Sequence, residues 1–180
     1  MVDWRKVMLE WIQGIDWAIL NWVQEVFRCD ILDFVVPKIT ALGNKGTIWL
    51  VLALILTISK KYRKYGIAMF AALAVGALIG NVMLKPLVAR SRPCWLETVD
   101  LLIRNPSDYS FPSGHTLSST IGAFMLTSAN HKFGWFAIPL AILIALSRLY
   151  LYVHFPSDVL AGAILGILVG IFVRKIATEN

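Results

Sequence analysis

Long apolar segments constrain the fold of this 180-residue chain more than any other feature. A helix needs about 17–25 predominantly apolar residues to cross a bilayer, and five runs approach that length. Hydrophobic residues make up 58% of the chain, against about 45–50% in a typical soluble domain. We therefore predict an all-α fold, a polytopic transmembrane helix bundle of about five spans: residues 46–59, 65–84, 116–130, 134–153 and 157–173.

The N-terminal segment has a different pattern, in which apolar residues recur at helical spacing and polar residues fill most of the remaining positions. Three tryptophans lie on this apolar stripe, and tryptophan favours the membrane interface. Leu9, Trp17 and Leu20 fall off the stripe. We predict an amphipathic helix over residues 3–28 that lies on the membrane. A first span packed against the bundle is the alternative, since helix contacts can hide charged residues.

Basic residues cluster between the predicted spans and after the last one, at residues 60–64, 131–132 and 174–175. With five spans all three clusters fall on one side, and an excess of Lys and Arg marks the cytoplasmic side. This pattern also explains the net charge of +6 without invoking nucleic acid. The expected organisation is a membrane-lying segment over residues 1–43, followed by a transmembrane domain over residues 44–180.

Polar residues collect at span ends on the opposite, outer side. Three cations lie there, two after the second span and one near the end of the fourth, and Arg and Lys are suited to surrounding one phosphate. Ser113 and Gly114 precede the third span, where the free N–H groups and positive end of a helix favour an anion. The predicted phosphate-binding residues are Lys85, Arg92, Ser113, Gly114 and Arg148.

Two histidines on the same side suggest a nucleophile and an acid. His154 lies four residues before Asp158, whose carboxylate can accept a hydrogen bond from one ring nitrogen and leave the other nitrogen to attack. His115 can then protonate the departing oxygen. Cys29 and Cys94 have no metal-ligand spacing. The acidic residues are few and scattered, so we predict neither a metal nor another cofactor.

Each of these residues also has an ordinary structural explanation. The cations are typical of helix ends, the stretch around Ser113 is typical of a helix cap, and His154 with Asp158 is a reasonable structural pair. We expect Arg90 and Arg104 to be solvated or to face headgroups. The functional interpretation depends on all the segments reaching one membrane face together.

The chain resembles the type 2 phosphatidic acid phosphatases, a family that shares its site with vanadium haloperoxidases. Its pattern has three parts: a lysine, six residues and Arg-Pro; then Pro-Ser-Gly-His; then Ser-Arg, five residues, His, three residues and Asp. All three parts are present in the family's order, and the resemblance covers about residues 44–175. The matching residues are Lys85, Arg92–Pro93, Pro112–His115, Ser147–Arg148, His154 and Asp158.

The resemblance implies a role for each matched position. His154 would attack phosphorus and form a phosphohistidine, Asp158 would orient it, and His115 would be the general acid. The five residues named above for phosphate binding would hold the phosphate. Many membrane members resemble a six-span design, whereas about five spans are predicted here.

The function that follows is a metal-independent lipid phosphatase in a bacterial plasma membrane, with its active site facing outward. Undecaprenyl pyrophosphate is the first substrate expected, and phosphatidylglycerol phosphate or phosphatidate come next. A lipid phosphotransferase that uses the same intermediate and a non-catalytic lipid-binding membrane protein are the alternatives. The expected partners are the lipid substrate and the bilayer, without nucleic acid.

Overall fold

The computed structural model describes residues 4–178, so residues 1–3 and 179–180 of the two predicted segments lie outside it. All regular structure in the described residues is helical, which confirms the all-α prediction. A 3₁₀ turn covers Asn44–Gly46, and a π-helical stretch covers Leu78–Leu84. The helices are α1 (Trp4–Phe27), α2 (Asp30–Leu42), α3 (Thr47–Ile58), α4 (Arg63–Ala77), α5 (Lys85–Val88), α6 (Pro93–Leu96), α7 (Gly114–Ala129), α8 (His131–Tyr150) and α9 (Pro156–Thr178).

Each of the five predicted spans forms a helix, but the helices differ in how well they can cross a bilayer. By length and composition, three could cross alone: Arg63–Leu96, His131–Tyr150 and Pro156–Ala177. A fourth is possible if Asp30–Leu42 and Asn44–Ile58, which meet at 42°, form one bent span. These figures apply to the described residues and differ from the predicted count of about five. Helix α7 has 16 residues, just short of the usual range.

Helix α7 is short and comparatively polar because it lies at the centre of the bundle, against α4, α8 and α9. Its Leu117, Ile121 and Met125 are buried. Helix α3 also packs on it, where the Trp49 ring lies over Gly122. A helix surrounded by protein does not need a long lipid-facing surface. By contrast, α8 and α9 expose large apolar side chains on their outer faces, as lipid contact requires.

Helix α1 follows the predicted amphipathic pattern, with a polar face that the bundle partly buries. Most described side chains of its apolar stripe face away from the bundle, and Trp11 and Trp22 are exposed, whereas Val23 packs on the bundle. Of the three off-stripe residues, Trp17 and Leu20 pack on the turn between α8 and α9, whereas Leu9 is exposed. Asp16 on the same side is only 2% exposed. The polar positions of α1 therefore include contacts with the rest of the protein.

The turn between α8 and α9 is fixed by a Schellman motif. Tyr152 takes a left-handed backbone conformation at φ 58°. Its N–H donates to Leu149 O at 3.0 Å, and the Val153 N–H donates to Arg148 O at 3.2 Å. The Tyr152 hydroxyl is anchored in turn by Asn21 of α1, at 2.9 Å. This turn places the next residue, His154, between the end of α8 and the start of α9.

Candidate active site

A cleft of about 1370 Å³ opens between the helix ends and continues along the bundle. Its polar end holds residues from α5, α7, α8 and the α8–α9 turn. Its other end is apolar and is lined by side chains of α3, α4 and α7 that include Leu50, Phe70, Leu73, Leu117 and Ile121. The cleft therefore joins a cationic pocket to an apolar groove.

Lys85 and Arg92 point at a single carboxylate, that of Asp108 in the loop between α6 and α7. Lys85 Nζ donates to Oδ2 of Asp108, and Arg92 Nη2 donates to Oδ1 at 2.8 Å. Arg92 Nε also donates to the Asp108 backbone oxygen, at 2.6 Å. Both cations are buried, whereas the Asp108 side chain is 56% exposed. The two cations thus hold an anion at the mouth of the pocket.

The pKa of Asp108 reflects how strongly that position favours negative charge. Partial burial raises the pKa of this carboxyl, but the hydrogen bond and charge of Lys85, together with the charge of Arg92, outweigh burial. The pKa falls from 3.8 to about 2. Asp108 is therefore ionised at any physiological pH.

Arg148 is the third cation of the pocket, and it is 3% exposed. Its Nη1 donates to Thr40 Oγ1 at 2.6 Å, which ties the guanidinium to α2. Its Nε has no hydrogen-bond partner among the described residues. A buried, unpartnered guanidinium N–H lining a cleft is costly, and a bound anion would satisfy it.

The N-terminus of α7 forms one wall of the polar end. Ser113 is the N-cap, since its Oγ accepts the Thr116 N–H at 3.4 Å. Gly114 lines the cleft beside Asn81, whose Oδ1 would lie 2.9 Å from a Cβ added at Gly114. A glycine here keeps the wall open to close approach. Ser113 is fully buried, and its hydroxyl is turned back into the helix.

His154 lies at the base of the pocket and is 1% exposed. Its Nε2 is 3.1 Å from Nη1 of Arg92. Because arginine can only donate, Nε2 must be the unprotonated nitrogen and Nδ1 must carry the proton. Nδ1 is 3.3 Å from Ser110 Oγ, which donates to Asp158 Oδ2 at 2.5 Å.

The direct separation of His154 Nδ1 from Asp158 Oδ2 is 3.6 Å, slightly longer than a hydrogen bond. Ser110 therefore bridges the pair that the sequence predicted to be bonded directly. Burial lowers the pKa of His154 well below 6.5, and Arg92 and the neighbouring cations lower it further. The imidazole is accordingly neutral near pH 7, and the lone pair on its unprotonated Nε2 accepts a hydrogen bond from Nη1 of Arg92.

His115 also lines the cleft, at the first turn of α7 and directly after Gly114. Its Nε2 lies 3.0 Å from Oδ1 of Asn44, in the 3₁₀ turn before α3. Gly43 approaches the same ring so closely that an added Cβ would be 2.9 Å from Cδ2 of His115. The segment before α3 thus positions this histidine.

Six of the predicted site residues line the cleft together: Lys85, Arg92, Gly114, His115, Arg148 and His154. The other two, Ser113 and Asp158, are fully buried behind its wall and are absent from the described residues that line it. Their individual roles stay predictions.

Several residues that contact the site were not identified from the sequence. Asp108 binds two cations, and Ser110 bridges His154 and Asp158. Thr40 accepts a hydrogen bond from Arg148, and Asn44 contacts His115. Arg90, expected to be solvated, instead donates to Asp158 Oδ1 at 2.7 Å. Ser110 lies two residues before the Pro-Ser-Gly-His motif, and this proximity is the one feature of the sequence that associates it with the site.

The described part of the chain contains no group of three or more His, Cys, Asp and Glu side chains placed to hold a metal ion. Cys29 and Cys94 are both free thiols.

Comparisons with known proteins identify the family to which the chain is similar. The family model described as "PAP2 superfamily" matches residues 61–180. An undecaprenyl-diphosphatase from Sulfolobus acidocaldarius is 37% identical over 121 residues, covering 66% of this chain and 58% of that protein. Phosphatidylglycerophosphatase B from Bacillus subtilis is 31% identical over 176 residues, which cover 91% of this chain and 83% of that protein. The crystal structure of Aquifex aeolicus LpxE superimposes with a TM-score of 0.78 at 29% identity, and the match covers 89% of this chain and 95% of LpxE.

Proposed function

Since this chain belongs to the PAP2 superfamily, we propose that it is a membrane phosphatase that hydrolyses a lipid phosphate or pyrophosphate through a phosphohistidine on His154. The observation that carries the proposal is that three buried cations line one cleft beside an unprotonated imidazole nitrogen, and that two of them hold the same anion. Lys85 and Arg92 already bind a carboxylate there, and Arg148 offers an unpartnered N–H. A phosphoryl group has the charge and the acceptor oxygens to use all three donors.

In the first step, the lone pair of His154 Nε2 attacks phosphorus while the bond from phosphorus to the leaving oxygen breaks. His115, which takes up a proton as the anionic phosphate binds beside it, gives that proton to the leaving oxygen. The Nδ1 proton of His154 stays hydrogen-bonded toward Ser110 and Asp158, which stabilises the positive charge on the ring. Lys85, Arg92 and Arg148 balance the charge that develops on the phosphoryl oxygens.

In the second step, water attacks the phosphohistidine and returns one proton to His115, so that phosphate leaves and both histidines regain their starting forms. Ser113 and Gly114 complete the proposed phosphate site through the N-terminus of α7. No proton or charge in this sequence requires a metal, and we propose that the reaction is metal-independent.

The apolar half of the cleft supports a lipid substrate. It runs from the cationic pocket along α3, α4 and α7, where side chains such as Leu50 and Phe70 line it. A phosphate monoester with a hydrocarbon chain would fill both halves, whereas a small soluble phosphate would leave the groove unused.

Undecaprenyl pyrophosphate is the first substrate that we propose, followed by phosphatidylglycerol phosphate and phosphatidate. The names of the Sulfolobus acidocaldarius and Bacillus subtilis relatives support this order of choice. The aligned region spans 58% of the Sulfolobus protein, so its substrate is transferred here only as a proposal. The basic segments at residues 60–64, 131–132 and 174–175 support a site facing outward from the cytoplasm.

The proposal is tested by measuring phosphate release from a panel of lipid monophosphates and diphosphates by purified protein, with EDTA and without added metal. Turnover of at least one lipid is expected. Release that depends on added divalent metal would refute metal independence, and an inert protein would refute the phosphatase and favour lipid binding alone. Adding an acceptor alcohol distinguishes hydrolysis from transfer, because only a phosphotransferase would make the new phosphate ester in high yield.

A further inference from the structure

A second cluster of charges lies directly behind His154 and Asp158 and joins α1 to the site. Asp16, in the middle of α1, is 2% exposed. Its Oδ2 accepts from Arg90 Nη2 at 2.6 Å. The Arg90 guanidinium also stacks on the Phe155 ring, 4.2 Å from its centroid. A carboxylate so deeply buried is retained at a cost unless its partners are well placed.

Asp16 also fixes the first turn of α9. Its Oδ1 accepts the backbone N–H of Ser157 at 2.9 Å, and its Oδ2 accepts from the Ser157 hydroxyl at 2.5 Å. A carboxylate at a helix N-terminus satisfies a free N–H and opposes the positive end of the helix dipole. Asp158 is the next residue along this turn, so Asp16 holds its backbone in place.

Arg90 connects the same cluster to the Asp158 side chain. Nη1 of Arg90 donates to Asp158 Oδ1 at 2.7 Å. With Oδ1 engaged, Oδ2 is left toward Ser110 Oγ and the Phe155 N–H, at 2.5 and 2.9 Å. This is also the oxygen 3.6 Å from His154 Nδ1. The rotation of the Asp158 carboxylate is therefore set from behind by Arg90.

We propose that Asp16 and Arg90 are positioning residues, through which helix α1 orients Asp158 and thereby His154 for attack on phosphorus. The proposal rests on the proposed role of His154. Among the described residues that line the cleft, neither Asp16 nor Arg90 occurs, so both act through Asp158 and do not touch the substrate. Asp16 also lies outside residues 61–180, the part of the chain that the family model matches.

The first experiment compares kcat and KM for the best lipid substrate in wild type, Asp16→Asn and Arg90→Lys. Asparagine keeps the shape of Asp16 but loses its charge. Lysine keeps the charge of Arg90 but carries its donors on one nitrogen, so it cannot contact Asp158 and Asp16 from two separate nitrogens as Arg90 does. We expect kcat to fall about 10- to 100-fold in each variant, as for other residues that orient a reacting side chain. KM should change less than about threefold, because the phosphate ligands are untouched.

Gln24→Ala is the matched control. Gln24 lies on α1 and also docks it to the bundle, since its Nε2 donates to Tyr150 O at 2.9 Å. That contact does not lead to Asp158, so kcat should stay within about twofold of wild type. An equal loss of kcat in Gln24→Ala would show that only the docking of α1 matters and would overturn the proposal.

Chemical rescue provides a second measurement. In Arg90→Ala, added guanidinium ion should restore part of kcat by occupying the space between Asp16 and Asp158, whereas it should not affect Gln24→Ala. Wild-type kcat in both Asp16→Asn and Arg90→Lys would overturn the proposal. If Asp16→Asn is not monodisperse, the kcat of Arg90→Lys alone tests the positioning role. An inactive wild-type protein would instead refute the phosphatase function, so the two failures are distinguishable.

Discussion

Nη1 of Arg92 lies 3.1 Å from Nε2 of His154, while Nη2 of the same guanidinium lies 2.8 Å from Asp108 Oδ1. One side chain therefore contacts both the proposed nucleophile and the anion position. Because arginine only donates hydrogen bonds, this contact also determines which imidazole nitrogen is unprotonated. The proposed attack geometry and the proposed phosphate site thus depend on the same residue.

Asp108 competes with phosphate for Lys85 and Arg92, so its removal should tighten anion binding. We predict that Asp108→Asn lowers the inhibition constants of inorganic phosphate and vanadate about three- to tenfold. The effect is limited because the carboxylate is 56% exposed and water screens its ion pairs. Inhibition of lipid phosphate hydrolysis measures both constants. Asp100→Asn in the same loop is the control, and weaker inhibition in Asp108→Asn would mean that Asp108 organises the cations instead.

His154 should remain neutral as the pH falls below 6.5, because burial and the nearby cations lower its pKa. A ¹⁵N-histidine NMR titration of the substrate-free protein, with His154→Gln to assign the signal, should give a midpoint below pH 6.5. The unfolded chain takes up this proton more readily. The stability contribution is therefore present above pH 6.5 and is lost as the pH falls toward the folded-state pKa. A midpoint at or above 6.5 would contradict the described environment of His154.

Close packing of α3 on α7 should make Gly122 intolerant of a side chain. A Cβ at Gly122 would overlap the buried Trp49 ring, whose Nε1 donates to Ser119 Oγ at 3.0 Å. We predict that Gly122→Ala destabilises the protein by about 1–3 kcal/mol. Gly14→Ala on α1 meets nothing within 4 Å and should instead stabilise it by about 0.5–1 kcal/mol. Thermal unfolding in detergent measures both, and equal effects would argue against this packing.

The orientation of the site can be tested with Cys29, which is exposed and whose backbone N–H contacts the Tyr150 hydroxyl near the site end of α8. In a Cys94→Ser variant, an impermeant thiol reagent should label Cys29 in intact cells. A variant with Cys29→Ser, Cys94→Ser and Lys61→Cys should react only after permeabilisation, since Lys61 is in a basic loop. The reverse pattern would place the site in the cytoplasm.

The sequence predicts the helices well because apolar runs and terminal signals are local. It also brings six of the eight predicted site residues to one cleft, since the motif positions fall at the ends of successive spans. Contacts made across long sequence separations are not predicted. Asp16 reads as an ordinary polar position of an amphipathic helix, and nothing local indicates that Arg90, 74 residues away, is its partner.

Asp108 was missed for a related reason, since a single acid in a loop has no spacing that links it to two cations. The number of spans is the other difference. Three or four helices of the described residues could cross a membrane by length and composition, against about five predicted, and α7 falls short of the usual length because α4, α8 and α9 surround it. In both cases, packing decides what composition leaves open.

The most direct test of the central claim is phosphate release from the best lipid substrate by wild type, His154→Ala and, as a control, His131→Ala in the basic loop at the opposite end. We predict that His154→Ala loses about a thousandfold or more in kcat, while His131→Ala keeps wild-type turnover. A monodisperse His154→Ala protein with near-wild-type turnover would contradict the assignment of His154 as the nucleophile.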